Sequence, residues 1–380
     1  MRLSPRATVQ AGLLLALISL WPVACAAATF SDKPLTYRVK NMDGKVVSAT
    51  IPFVVTEDGA VADRINIFLH MRLLDTLPPL PSNKLSAARV IDYPFPLESM
   101  QGGIDVANGG RTLRVSVEAE GCGAYCSTGT SNFSFDTRNG RVLNREELIT
   151  PQAKRTLAAM AIKADVAKLR AEIALIKQAG KDKKDMLDDE SRATQLEMYQ
   201  SCLASRFAKG GDMFDTHLAD PGAIDIGDGA ISFSQDPCGY HAVQALDDLG
   251  AFVLTLKGEE MRPYLSAYGK YLFYGEGDGK VDAINRYAQL FHGKINGTIA
   301  VTLYAELTPD GSGAAGPRYF YDKYGKAIEL SMSRDGEAFV LTETDSKDVP
   351  QPALRFTLQG QRLVGEWRGG GKVYPFEAGP

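Results

Sequence analysis

The chain has 380 residues, a formal net charge of -4, and a composition that is 44% hydrophobic and 23% charged. That is enough apolar material for two cores of ordinary domain size. The acidic balance, with no dense Lys/Arg cluster to reverse it, argues against a nucleic-acid-binding surface.

Arg2 and Arg6 precede an apolar stretch from Ala11 to Leu20, closed by Trp21-Pro22 and the small residues Val23 to Ala28. This is the order of a secretory signal, and the apolar run falls short of the ~20 residues that span a bilayer. Cleavage after Ala28 removes two arginines and no acid, which moves the formal charge from -4 to -6. Cleavage before Cys25 gives instead a lipidated cysteine and an outer-membrane lipoprotein. Either way the expected location is periplasmic or secreted, with no transmembrane segment left after processing.

Five cysteines are present, and Cys25 belongs to the signal region. The others, Cys122, Cys126, Cys202 and Cys238, read as two disulfides in an oxidising compartment. Of the three connectivities, Cys122–Cys126 and Cys202–Cys238 are favoured: Gly123 and Ala124 let the first loop bend sharply, and the second ties a helix to a turn. A metal half-site at Cys122 and Cys126 lacks partners, because none of His70, His217, His241 and His292 has paired ligand spacing with them. No metal and no cofactor are expected.

In chain order, Leu35 to Val55 reads as extended, with a turn at Asp43-Gly44. Ala62 to Leu77 reads as a helix, with Ile65, Leu69 and Leu73 at four-residue spacing and His70 beside the stripe as a surface group. Leu113, Val115, Val117 and Ala119 alternate with polar residues as a half-buried strand. Phe133 and Phe135 continue the pattern after the cysteine loop, so Cys122 to Thr130 is expected to be a hairpin loop. Asn139-Gly140 is a strong turn signal. Thr150-Pro151 starts a helix whose seam is Ile162, Val166, Leu169, Ile173 and Ile176. A second helix carries Leu196, Tyr199 and Leu203, so residues 150–208 read as a helical hairpin. Strands return at Ala230 to Ser234 and Phe252 to Leu256. A break at Gly275 to Gly279 precedes a short helix near Val281 to Leu290. The remainder, from Ile295 to Phe376, is a series of short alternating segments without crossover helices, hence an antiparallel meander or small barrel.

The fold class is therefore α+β: a mixed helix and antiparallel-sheet first domain with a helical hairpin, then an antiparallel β domain. The domain limits are 1–28 for the signal, 29–274 for the first domain and 285–380 for the second.

Several pieces carry a family resemblance: Arg64-Ile65-Asn66, Val115 through Cys126, Phe133-Ser134-Phe135-Asp136, Asn139 to Leu143, Ile231-Ser232-Phe233, Leu254-Thr255-Leu256 and Arg262-Pro263-Tyr264-Leu265. With these, roughly residues 35 to 272 resemble the DUF3298 family. That family is also seen in the extracellular part of the anti-sigma factor RsiV and in the non-catalytic region of a peptidoglycan deacetylase. The resemblance implies a mixed α/β domain outside the membrane, in one relative serving as a lysozyme-binding sensor.

For an enzyme the residues are sparse. There is no Gly-x-Ser-x-Gly elbow, no His-Glu-x-x-His and no phosphate loop. His241 is the best single catalytic candidate, and Asp225-x-x-Asp228-Gly229 reads as a turn. No enzymatic activity is expected. Binding has more support: Tyr125 at the tip of the bridged loop and Tyr240 after the other bridge offer rigid contact area with a polar end. Asp136 and Arg141 are candidate ligand contacts or turn-bracing charges. In the second domain Tyr319, Phe320, Tyr321, Tyr324, Trp367 and Tyr374 form an aromatic population that could line a barrel mouth. The expected role is binding a protein such as lysozyme, or peptidoglycan fragments. The alternatives are a hydrolase acting on cell-wall glycans and a structural envelope protein using its hairpin as a partner surface.

Overall fold

The computed structural model describes residues 29–80, 85–123, 126–179, 188–207, 224–239, 241–280, 289–305, 307, 316–344 and 353–380. The signal-like segment lies outside them. The first unit runs through β1 (Ser31–Asp32), β2 (Leu35–Lys40), β3 (Val46–Ile51), β4 (Val54–Val55), α1 (Gly59–Leu74), β5 (Val90–Asp92), β6 (Leu97–Ala107), β7 (Thr112–Cys122) and β8 (Cys126–Asp136). Six strands form one mixed sheet in the order β5-β2-β3-β6-β7-β8. Period-two alternation sets its inner face: Tyr37 and Val39 on β2, and Leu113, Val115 and Val117 on β7, are buried.

Strand β8 begins at Cys126, directly opposite Cys122, so Ser127 to Thr130 pair with β7 instead of forming a loop. The sequence hid this because these residues are exposed and uniformly polar. The Cys122–Cys126 disulfide closes the hairpin end, and Cys202–Cys238 is the second bridge.

Helix α1 is capped by Asp58, whose side chain accepts the backbone N–H groups of Ala60 and Val61. It ends at Asp75 in the left-handed conformation, φ 49°. Eleven of its residues are buried, including the polar Asn66 and His70. Both faces are covered, which the four-residue stripe alone does not reveal.

His70 is therefore not a surface group. It is fully buried, its Nδ1 lies 2.7 Å from the Asn66 carbonyl oxygen, and its ring meets Tyr37 edge-on at 5.5 Å. Burial lowers its pKa to about 4, so the imidazole is neutral with the proton on Nδ1. The unfolded chain binds that proton first, so this group removes stability as pH falls below about 6.5 towards 4. In an NMR titration the His70 ring signals are expected to stay fixed between pH 8 and pH 5. A midpoint near 6.5 would contradict the buried placement.

After α2 (Arg145–Leu148), the long α3 (Pro151–Ala179) packs on α4 (Asp189–Phe207). The Thr150 hydroxyl accepts the Ala153 N–H at 3.2 Å, fixing the start of α3. The first part of α3, with Leu157, packs on a three-stranded sheet of β9 (Ile224–Gly227), β10 (Ala230–Gln235) and β11 (Phe252–Lys257), and on α5 (Ala267–Tyr274). The outer part forms a smaller core of Leu169, Ile176, Tyr199, Cys202, Cys238 and Phe252. The hairpin seam is thus filled by its own protein.

The C-terminal strands are β12 (Gln289–Ile295), β13 (Ile299–Ala305), β14 (Arg318–Tyr321), β15 (Ile328–Asp335), β16 (Ala338–Glu343), β17 (Ala353–Gln359), β18 (Arg362–Gly369) and β19 (Lys372–Gly379). They close into an eight-stranded antiparallel barrel through pairing of β12 with β19, Ile295 opposite Phe376. Closure removes the free edges of the meander. At Gly365 a Cβ would stand 2.0 Å from the Arg355 carbonyl oxygen, so the close approach of β17 and β18 requires glycine there. Residues 281–288, where a short helix is expected, lie outside the described residues, and Gln289 and Leu290 belong to β12.

The barrel wall packs against α1. Leu290, Tyr304 and Phe320 from the barrel share one core with Phe68, Phe133 and Phe135. Polar contacts join the same seam: Thr76 Oγ1 donates to Gly325 O at 2.7 Å, Leu77 N–H to the same oxygen at 3.0 Å, and Arg318 pairs with Asp75 at 3.3 Å. Among the described residues no helix is long and apolar enough to cross a membrane.

Candidate functional site

Where α1, the Asn139-Gly140 turn and the barrel meet, they leave a cleft of about 450 Å³. The turn is held against the helix: Gly140 has φ +67°, and a Cβ there would lie 2.6 Å from the Val61 carbonyl oxygen. Only glycine satisfies both the dihedral and the approach. This contact sets Arg141 beside Arg64, which projects from the first half of α1.

Four cationic side chains line the cleft, Arg64, Arg138, Arg141 and Lys280, and no Asp or Glu side chain does. Their situations differ. Arg138 is fully engaged: it bonds Asp136 at 2.8 Å and the Gly279 carbonyl at 2.9 Å, and lies 4.1 Å over the Tyr271 ring. Lys280 stands at the exposed rim and pairs with Asp278. Arg141 bonds Glu147 through Nη2, while its buried Nε has no hydrogen-bond partner. Arg64 makes no hydrogen bond or ion pair to the described residues. Burial, and then the like charge of Arg141, lower its pKa. Two partly buried guanidiniums side by side, one of them with no partner among the described residues, form an arrangement that an anion would neutralise.

Glu147 is the hidden counter-charge. Burial pushes its carboxyl up to about 7, against the opposing pull of Arg141 and Asn144. Its protonation near neutrality releases the Arg141 charge to the cleft.

A second cleft, of about 340 Å³, shares the Arg64 wall and carries Asp63, His292, Thr302 and Asp322. Thr302 Oγ1 donates to Asp322 at 2.9 Å and lies 3.3 Å from His292 Nδ1. Desolvation lowers the His292 pKa and raises those of Asp63 and Asp322.

Of the residues singled out from sequence, Arg141 lines the main cleft. Asp136 does not: its carboxylate is fully buried, accepts the Tyr268 hydroxyl at 2.9 Å and anchors Arg138. Its role is to brace the turn. Tyr125 and Tyr240 lie outside the described residues, as does the side chain of His241. Asp225 pairs with Arg114 at 2.6 Å, linking β9 to β7, and Asp228 accepts the Asn108 N–H at 3.0 Å. The close set of Glu120, Cys122 and Cys126 has both sulfurs in the disulfide, which leaves no thiolate for a metal. Arg64, the residue that matters most to the cleft, appears in the sequence only as the start of a family motif. Its signal was a cation in the first half of a mostly apolar helix.

No family model and no curated protein matches this chain. One similar structure is a member of the DUF3298 family from Bacteroides fragilis, with TM-score 0.32 and 10% identity, covering 66% of this chain and 98% of that one. Another is a DUF3298 family protein from Pseudomonas aeruginosa, with TM-score 0.30 and 13% identity, covering 63% of this chain and 94% of that one. Both solved structures are thus of the DUF3298 family, the one that the motifs of the first domain resemble.

Proposed function

We propose that this chain is an exported envelope protein that binds an anionic ligand, without chemical turnover, in the cleft between α1 and the barrel. The observation that carries the reading is Arg64, without a partner among the described residues, beside Arg141 in a cleft lined by four cationic side chains, no Asp or Glu side chain and the chain-terminal Pro380. Carboxylate-bearing peptidoglycan fragments have the matching charge and fit the expected location. Lysozyme, itself cationic, does not match this cleft. The two disulfides suit an oxidising compartment.

The test is calorimetric titration of soluble peptidoglycan fragments with free carboxylates, at low and high salt. Saturable binding that weakens with salt supports the proposal. The absence of heat at about 100 μM ligand would sink it.

Glu147 adds a pH dependence with a definite sign. Above pH 7 its charge opposes a bound anion, and below it the group is neutral. Affinity is therefore expected to rise as pH falls from 8 to 6, by about threefold to tenfold for a charge pair separated by several ångströms at intermediate dielectric. Glu147→Gln should flatten that dependence. Equal slopes in the two proteins would assign it elsewhere.

A further inference from the structure

Strand β8 is the last strand of the six-stranded sheet and pairs with β7 on one side only. The other side of its second half is covered: the Ser134 carbonyl accepts the Leu143 N–H at 2.7 Å, and the Asp136 N–H donates to Arg141 O at 2.9 Å. Along a strand the backbone groups of successive residues point to opposite sides. The even-numbered residues of β8 therefore face away from β7. The register runs without a shift from Asp136 to Cys126, which puts the N–H and C=O of Thr128 and Thr130 on that outer side. They have no hydrogen-bond partner among the described residues, and Ser127 to Thr130 are exposed. Open edges are ordinarily guarded by charged side chains, Pro or a bulge. Ser127-Thr128-Gly129-Thr130 carries none of these, and the Cys122–Cys126 disulfide closes the hairpin beside it.

The sheet face beside this edge has a definite charge. Glu118 and Glu120 of β7 stand directly opposite Thr130 and Thr128, and so share their face of the sheet. Glu118 is exposed and Glu120 half-exposed, and neither makes a hydrogen bond or ion pair among the described residues. Arg114, the cation of β7 on that face, is engaged by Asp225. We propose that the edge of β8 docks an extended basic segment of a partner protein, which adds to the sheet as a further strand. Its backbone completes the hydrogen bonds of Thr128 and Thr130, and lysines at alternate positions meet Glu118 and Glu120. The separation is two strand spacings, about 10 Å, which a glutamate and a lysine span together across the short threonines. A second copy of this chain offers no lysine or arginine along Ser127 to Thr130, so it leaves both glutamates unanswered. The edge shares no residue with the cationic cleft and stands independently of the anion reading.

The probe is the acetylated and amidated peptide Thr-Lys-Val-Lys-Val-Lys-Thr, followed by calorimetry and by amide hydrogen exchange in NMR. In the free protein the Thr128 and Thr130 amides are expected to exchange fast, and those of Ser127 and Gly129, turned towards β7, slowly. The peptide should slow exchange at Thr128 and Thr130 selectively, with an affinity that falls as salt rises. A fully N-methylated peptide keeps the side chains and loses the backbone donors, and should bind at least about tenfold more weakly. Glu118→Gln with Glu120→Gln should weaken binding about fivefold, and Arg64→Ala should leave it unchanged. Thr130→Pro removes an outward N–H at an edge position, where proline is tolerated, and should weaken binding about tenfold. If circular dichroism shows that this variant does not fold, the methylated peptide and the glutamine variant decide. No heat at about 1 mM peptide overturns the proposal, as does binding that leaves the Thr128 and Thr130 amides unprotected. So does a methylated peptide or a glutamine variant that binds as tightly as the original. Protection of the two amides that rises with protein concentration alone would identify a second copy as the occupant, and overturns it too.

Discussion

Arg64→Ala is expected to weaken binding of a carboxylate-bearing fragment by about tenfold to a hundredfold while leaving the folded protein as stable as before. A hydrogen bond to a charged group contributes about 1.5–3 kcal/mol, and each 1.4 kcal/mol is a factor of ten. The stability half of the expectation comes from what Arg64 does not do. It has no partner among the described residues, and Arg141 repels it. Removing it should leave the thermal midpoint unchanged or slightly raised. Arg141→Ala would be less clean, because it strips a partner from Glu147. If Arg64→Ala destabilised the protein and left binding untouched, the residue would be structural and the cleft would lose its main feature.

Phe68→Ala is expected to cost about 3–5 kcal/mol, the range for deleting a buried aromatic side chain. Phe68 is 2% exposed and meets Phe133, Phe135 and Tyr304 edge-on at 5.5, 5.6 and 6.1 Å. Two of those rings belong to the sheet of the first unit and one to the barrel. The cavity would open where the two halves share a core, so nothing nearby can collapse to fill it without moving one half. Urea unfolding with an unchanged slope should show the loss as a lower midpoint. A loss under about 1 kcal/mol would mean that the barrel does not rest on α1 as described. Phe68 also lines the cleft, so ligand affinity should fall with it.

Much of the architecture was legible in the sequence because local chemistry set it. The bridge Cys122–Cys126, the capped start at Thr150-Pro151 and the alternation on β7 each follow from neighbouring residues. The meander was legible as antiparallel strands, but its closure was not: Ile295 meets Phe376 eighty-one positions later, and nothing local encodes that pairing. The same limit hid the burial of His70. A helix stripe shows one apolar face, and only the arrival of Tyr37 and Phe53 from distant segments turns a flanking histidine into a core residue. Arg141 was named from its turn, yet the cleft exists because Gly140 brings that turn onto Val61, a contact between distant segments. Asp136 was ambiguous between ligand contact and brace. Its burial, and its bonds to Arg138 and Tyr268, assign it to the second role.

The central claim is that the cleft selects a negative charge. Its most direct measurement is a calorimetric comparison of one disaccharide tetrapeptide of peptidoglycan with its amidated counterpart, identical except for the carboxylates. Selective binding of the carboxylate form, about tenfold or more and lost in Arg64→Ala, is the predicted result. Equal affinity for the two forms, or a preference for the amide, would contradict it.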